Sequence, residues 1–104
     1  MNATTLLAIA EPNRLQIVEL LREEPRSVND IAHRLHFSQP QASKHLKVLS
    51  AAGLVRSRAK AQKRIYGLEP QPFADLQAWL SNFDHAHWQQ RFDKLEQQLK
   101  KGEV

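Results

Sequence analysis

The chain has 104 residues, with 15 Lys and Arg against 11 Asp and Glu, a formal net charge of +4, five histidines, three glycines and no cysteine. That length supplies one domain with a modest core, a size often supported by association with a second copy. Lack of cysteine excludes disulfides, thiolate catalysis and thiolate metal sites, and Gly53, Gly67 and Gly102 are too scattered to build a glycine-rich phosphate loop.

The first eleven residues carry neither a basic leader nor a long apolar run, so the expectation is a cytoplasmic protein without signal peptide or membrane span. Leu6, Leu7 and Ile9 form a short apolar segment that stops at Glu11-Pro12, where a proline in the first helical position allows a new helix to start. This second helix is expected to run to about Glu24, with Leu15, Ile17, Val18, Leu20 and Leu21 on a wide buried stripe and Pro25 as its stop. Ser27-Val28-Asn29-Asp30 reads as a capping box with Asp in place of Glu, opening a short helix that buries Val28, Ile31, Ala32 and Leu35 and ends near His36. After the apolar anchor Phe37, Ser38 caps the next helix, Ala42, Leu46 and Leu49 share its buried face, and Gly53 supplies a left-handed end.

Beyond Gly53 the period changes to two. Residues 54–58 and 64–68 read as strands of a hairpin joined by residues 59–63, a loop without Gly or Asn whose turn type the sequence does not set. Pro70 and Pro72 close the hairpin, and one long helix is expected over residues 73–101. Its first stripe, Leu76, Leu80 and Phe83, is assigned to packing on the preceding elements. A second, Trp88, Phe92, Leu95 and Leu99, repeats at coiled-coil spacing on a rotated face and is assigned to another subunit. The fold class is mainly α with a small β-hairpin wing, α-α-α-α-β-β-α, in a single domain over residues 1–104 whose C-terminal helix dimerises.

Charge singles out the middle of this order. Residues 1–30 hold three bases and five acids, and residues 69–104 hold four and six, whereas residues 31–68 hold eight bases and no acid. An acid-free field on two capped helices and a basic hairpin is what a winged helix-turn-helix presents to duplex DNA. In that arrangement Gln39, Gln41, Ser43, Lys44 and Lys47 face the major groove. Gln suits adenine, Lys the acceptors of guanine, and Ser several bases, while Ser38 and Gln39 at the helix start can hold a phosphate through backbone amides. His45 lies on the flank, equally open to a DNA contact and to partial packing. Arg58, Lys60, Lys63 and Arg64, with Arg56 beside them, would lay the wing along phosphates or the minor groove, against the alternative of a solvated basic edge that keeps strands from pairing. Ser43 and His45 lack an orienting acid nearby, so no enzyme is indicated. A winged module that meets an acidic protein is the other reading that the basic field admits.

Residues 10–21, AEPNRLQIVELL, followed by residues 38–49, SQPQASKHLKVL, and residues 52–55, AGLV, resemble the ArsR/SmtB family of bacterial transcriptional repressors over nearly the whole chain. The resemblance implies a winged-helix homodimer joined through its first and last helices, which places Leu6 and Leu7 with Trp88, Phe92, Leu95 and Leu99 at the interface. It also implies binding to an inverted-repeat operator of its own or linked genes. Metal-sensing members carry a Cys-x-Cys pair where this chain has Ser27-Val28-Asn29-Asp30-Ile31-Ala32, or an Asp-x-His pair with a later His motif on the last helix. Here Asp84, His85 and His87 are present, but no histidine follows them. The expectation is a regulator without metal or other cofactor, with a metal-responsive sensor using Asp84, His85 and His87 as the alternative. The inducer stays open: Trp79, Phe83 and Trp88 can line a pocket or serve as core and interface.

Overall fold

Side-chain caps fix where the first four helices begin. In a computed structural model describing residues 1–102, helix α1 (Ala3–Ala10) is capped by Asn2, whose Oδ1 accepts from the Thr5 N–H at 2.8 Å. Glu11 does the same for α2 (Pro12–Glu23), its carboxylate accepting from the Arg14 N–H at 2.8 Å. Ser27 caps α3 (Val28–Leu35) through the Asp30 N–H, and Ser38 caps α4 (Gln39–Ala51) through the Gln41 N–H. Only half of the expected capping box forms at α3, because the Asp30 carboxylate is taken by Arg26 and Arg34 instead of reaching back.

Two of these helices end in the same hydrogen-bond pattern. At α4 the Leu54 N–H donates to Leu49 O and the Gly53 N–H to Ser50 O, both at 3.0 Å, with Gly53 at φ 77°. At α3 the Phe37 N–H donates to Ala32 O and the His36 N–H to His33 O, with His36 held at φ 58°. Nothing lies within 4 Å of where a Gly53 Cβ would stand, so the backbone angle alone sets the cost of a side chain there. Gly53→Ala is accordingly expected to lower stability by about 1 kcal/mol, read as a shifted urea midpoint at unchanged slope.

α2, α3 and α4 bury Ile17, Val18, Leu21, Ile31, Ala32, Ala42, Leu46 and Leu49 against Leu54 and Val55, and Ala8 of α1 closes the same core. Leu15, expected in the α2 stripe, stands exposed outside it. The hairpin strands β2 (Val55–Lys60) and β3 (Lys63–Leu68) pair antiparallel from Val55↔Leu68 to Lys60↔Lys63. They run longer than the expected strands, because the loop shrinks to Ala61-Gln62 with Ala61 at φ 56°. A third strand absent from the sequence reading, β1 (Arg26–Ser27), pairs with β3 at Tyr66 and Ile65, giving the order β1-β3-β2.

The single helix expected over residues 73–101 is two helices, α5 (Pro70–Leu80) and α6 (His85–Lys100), separated by a 3-10 turn over Ser81–Phe83. The break has a local cause. Ser81 Oγ donates to Ala78 O, and Asp84 leaves helical geometry at ψ 125° so that its carboxylate accepts from the Ala86 N–H and caps α6. Phe73 packs on the core. The first stripe does not pack there as expected: Leu76 is only partly buried and is not part of that core, Leu80 and Phe83 are about half exposed, and Phe83 meets Trp79 edge-on at 5.0 Å. α6 then projects from the body, stretching the molecule to 70 × 25 × 22 Å with a radius of gyration of 20.0 Å, where a compact chain of ~100 residues has about 13 Å. No helix among the described residues is long and apolar enough to cross a membrane.

Candidate nucleic-acid interface

α4 buries Ala42, Leu46 and Leu49 completely, and the 3.6-residue period then leaves Gln39, Gln41, Ser43, Lys44 and Lys47 exposed, with Ser38 also exposed at the helix start. Lys44 and Lys47 stand on successive turns. His45 does not join this set. Its side chain is 12% exposed and turned toward the start of α2, with Nδ1 3.8 Å from Glu11 Oε2 and the ring against Phe37 at 6.1 Å between centroids. The flank position is thus resolved toward packing, and His45 leaves the groove-facing residues, because the α2 start and Phe37 offer its ring a partly apolar seat.

The hairpin register divides the wing. Residues paired across an antiparallel ladder share a face, which puts Arg58, Lys60 and Lys63 with Arg56 and Ile65 on one side. Arg64 lies on the other with Val55, Ser57 and Tyr66, donating through Nη1 to Ser57 Oγ at 2.9 Å. Lys60 and Lys63 stand opposite each other at the tip. Arg56 is engaged at 3.0 Å by Glu69, the first acid after the acid-free stretch. Among the described residues no carboxylate lies within ion-pair distance of Lys44, Lys47, Arg58, Lys60, Lys63 or Arg64. Six cations on one helix and one hairpin, with Arg64 on the opposite face of the hairpin from Arg58, Lys60 and Lys63, thus stand without a paired anion among the described residues.

An ion-pair cluster that sequence alone does not reveal joins α2 to α3. The Arg26 side chain, 5% exposed, holds Glu23 and Asp30 at 2.9 Å and Glu24 at 3.3 Å, tying the end of α2 to the start of α3, and Arg34 takes the remaining reach of Asp30 at 3.1 Å. The three acids stand at positions −3, −2 and +4 from Arg26, a spacing legible in the sequence once β1 is known to bring them together. The Arg26 hydrogen bond, with that of Arg34 behind it, holds the Asp30 carboxyl below its ordinary value. The Arg14 backbone N–H does the same for Glu11. Both depressed carboxylates contribute stability that is complete above the unfolded-state range near pH 4 and is lost as pH falls through the folded values. Through these two carboxylates the urea midpoint is therefore expected to fall as pH drops below about 4, with a shallower fall in Asp30→Asn.

On the last helix, Asp84 serves as the α6 cap and His87 Nε2 accepts from Arg91 Nε at 3.0 Å. Among the described residues no three His, Asp or Glu side chains gather in a way that could hold a metal ion.

The model of the bacterial regulatory protein arsR family matches residues 11–57, from the cap of α2 into β2. The regulator Rv2034 of Mycobacterium tuberculosis is 41% identical over 76 residues, spanning 73% of this chain and 71% of that one. This chain belongs to the ArsR family. The transcriptional repressor SdpR of Bacillus subtilis is 33% identical over 76 residues, covering 73% of this chain and 84% of its own. The solution structure of a homodimeric winged helix-turn-helix DNA-binding domain of Mb0332 from Mycobacterium bovis, a possible ArsR-family regulator, superposes with a TM-score of 0.67. It is 30% identical and covers 85% of this chain and 82% of that one. The winged helix-turn-helix fold and the function of transcriptional regulator follow from this membership.

Proposed function

We propose that the chain is a cytoplasmic, homodimeric repressor, not an enzyme, that binds an inverted-repeat operator in the control region of its own or adjacent genes, with residues 1–104 acting as one winged unit. Gln39, Gln41, Ser43, Lys44 and Lys47 read bases, Ser38 and the first amides of α4 hold a phosphate, and Arg58, Lys60, Lys63 and Arg64 lay the wing on the backbone. The observation that carries this reading is the set of six cations on α4 and the wing that are unpaired among the described residues, with no acid between Ile31 and Leu68. The names of relatives support it, SdpR as a repressor and the Mb0332 domain as a homodimer. The projecting α6, with Trp88, Phe92, Leu95 and Leu99 exposed along one stripe, supplies the contact between subunits, together with Leu6 and Leu7 of α1. Gel shifts on duplexes from upstream of its gene, at several salt concentrations, test the reading. Binding should weaken steeply with salt, as phosphate contacts release counterions, and an inverted repeat should outcompete arbitrary duplex. Salt-insensitive or sequence-blind binding would refute it.

Operator affinity is further expected to be indifferent to micromolar zinc, nickel, cobalt and chelators. Asp84 is spent as a cap, His87 accepts from Arg91, and no thiolate exists to complete a site. Stoichiometric zinc binding that changes operator affinity about tenfold and vanishes in a His85→Ala, His87→Ala double variant would make the protein a metal sensor instead.

A further inference from the structure

His45 stands in the recognition helix between Lys44 and Leu46, yet its side chain serves neither the core nor the exposed face. Its Nδ1 is buried with no hydrogen-bond partner. The carboxylate that faces it, Glu11 Oε2 at 3.8 Å, is already fixed in place by the Arg14 N–H that it caps at 2.8 Å. A buried imidazole nitrogen facing a positioned carboxylate at that distance becomes an ion pair when the ring gains a proton. With the neutral ring's proton on Nε2 the buried nitrogen has nothing to donate, and with it on Nδ1 the contact to Glu11 is one between a neutral donor and a carboxylate; the protonated ring alone sets opposite charges facing each other there, and a small movement of α4 toward α2 closes the gap.

The other charged groups on the packed elements are engaged elsewhere or face solvent. Arg14 of α2 turns its guanidinium to the Leu7 and Ala8 carbonyls, Asp30 of α3 is held by Arg26 and Arg34, and Arg56 of β2 is held by Glu69. His33 of α3, Arg58 of β2, and Lys44 and Lys47 of α4 itself are exposed, and α1 carries no ionisable side chain. Among the described residues Glu11 is the one acid within ion-pair distance of His45.

We propose that His45 is a proton-sensing positioning residue: uptake of a proton closes the His45–Glu11 pair, clamps the recognition helix to the start of α2, and tightens operator binding as pH falls through the imidazole range. The added cation also lies on the helix that meets the phosphates, so DNA and proton favour one another's binding, as linkage requires. The effect on operators rests on the DNA-binding reading above, whereas the clasp itself does not.

The experiment therefore has two arms, both on the full chain. In the first, the His45 imidazole resonance is titrated by NMR without DNA in wild type and in Glu11→Gln, which keeps an acceptor for the Arg14 N–H. The midpoint should fall in the variant, and an unmoved midpoint overturns the clasp. In the second, operator affinity is measured from about pH 7.5 to 5.5. Wild type and the exposed-histidine control His33→Gln should tighten about tenfold, whereas His45→Gln and Glu11→Gln should stay flat within about twofold. A residue that merely packs would lower affinity equally at every pH and leave the profile intact, and tightening that survives in His45→Gln overturns the proposal. Failure to bind any duplex at any pH would strike the operator-binding reading, with the NMR arm still deciding the clasp.

Discussion

Leu95→Asp is expected to convert the proposed dimer to monomers in sedimentation and to lower operator affinity by at least about 10³-fold, toward the level of nonspecific binding. Trp88, Phe92, Leu95 and Leu99 repeat every three or four residues along α6 and are 45%, 60%, 41% and 57% exposed, on a helix that among the described residues makes no extensive contact with another element of its chain. A stripe of that kind is stable in water when a second copy covers it, and a carboxylate placed in the seam would be buried without a partner. Since the winged body does not lean on α6, the helical spectrum of the variant should remain largely intact. A dimer that survives the substitution would move the interface to α1, where Leu7 is 69% exposed.

Alanine at Lys44 or Gln39 is expected to cost about 1–3 kcal/mol of operator binding and to relax base choice, because these side chains stand on the exposed side of α4 with no partner in the protein to relinquish. Lys63→Ala at the wing tip should weaken all sequences alike and reduce the salt slope by about one. Competition binding on operator and scrambled duplexes separates the two behaviours. Equal loss of discrimination from both groups would show that the roles of helix and wing are wrongly divided.

What could be read from the sequence was local. Ser27, Ser38 and Gly53 announce helix ends through chemistry confined to a few residues, and the structure gives each its end, Ser27 by its own cap bond without the return bond from Asp30. Ala42, Leu46 and Leu49 were legible from period alone, and with them the exposed residues opposite. What escaped depends on contacts distant in sequence or on competition between roles. β1 spans two residues, too few for any periodic signal, and exists because β3 offers an edge to pair with. His45 turns inward because Glu11 and Phe37 flank it, a consequence of how α2 crosses α4. Asp84 reads by sequence as a candidate metal ligand, whereas a short acidic side chain after Ser81-Asn82-Phe83 is also an N-cap, and that role splits the last helix. The hairpin tip tightened past its expected loop because Ala61 accepts a left-handed angle that sequence preference assigns to Gly or Asn.

DNase protection by the purified protein on the DNA upstream of its own gene tests the central claim most directly. The account predicts a protected inverted repeat whose half-sites present successive major grooves roughly 34–36 Å apart, with protection lost when either half-site is scrambled. Protection that ignores the scrambling, or none at protein concentrations where the dimer is fully formed, would contradict it.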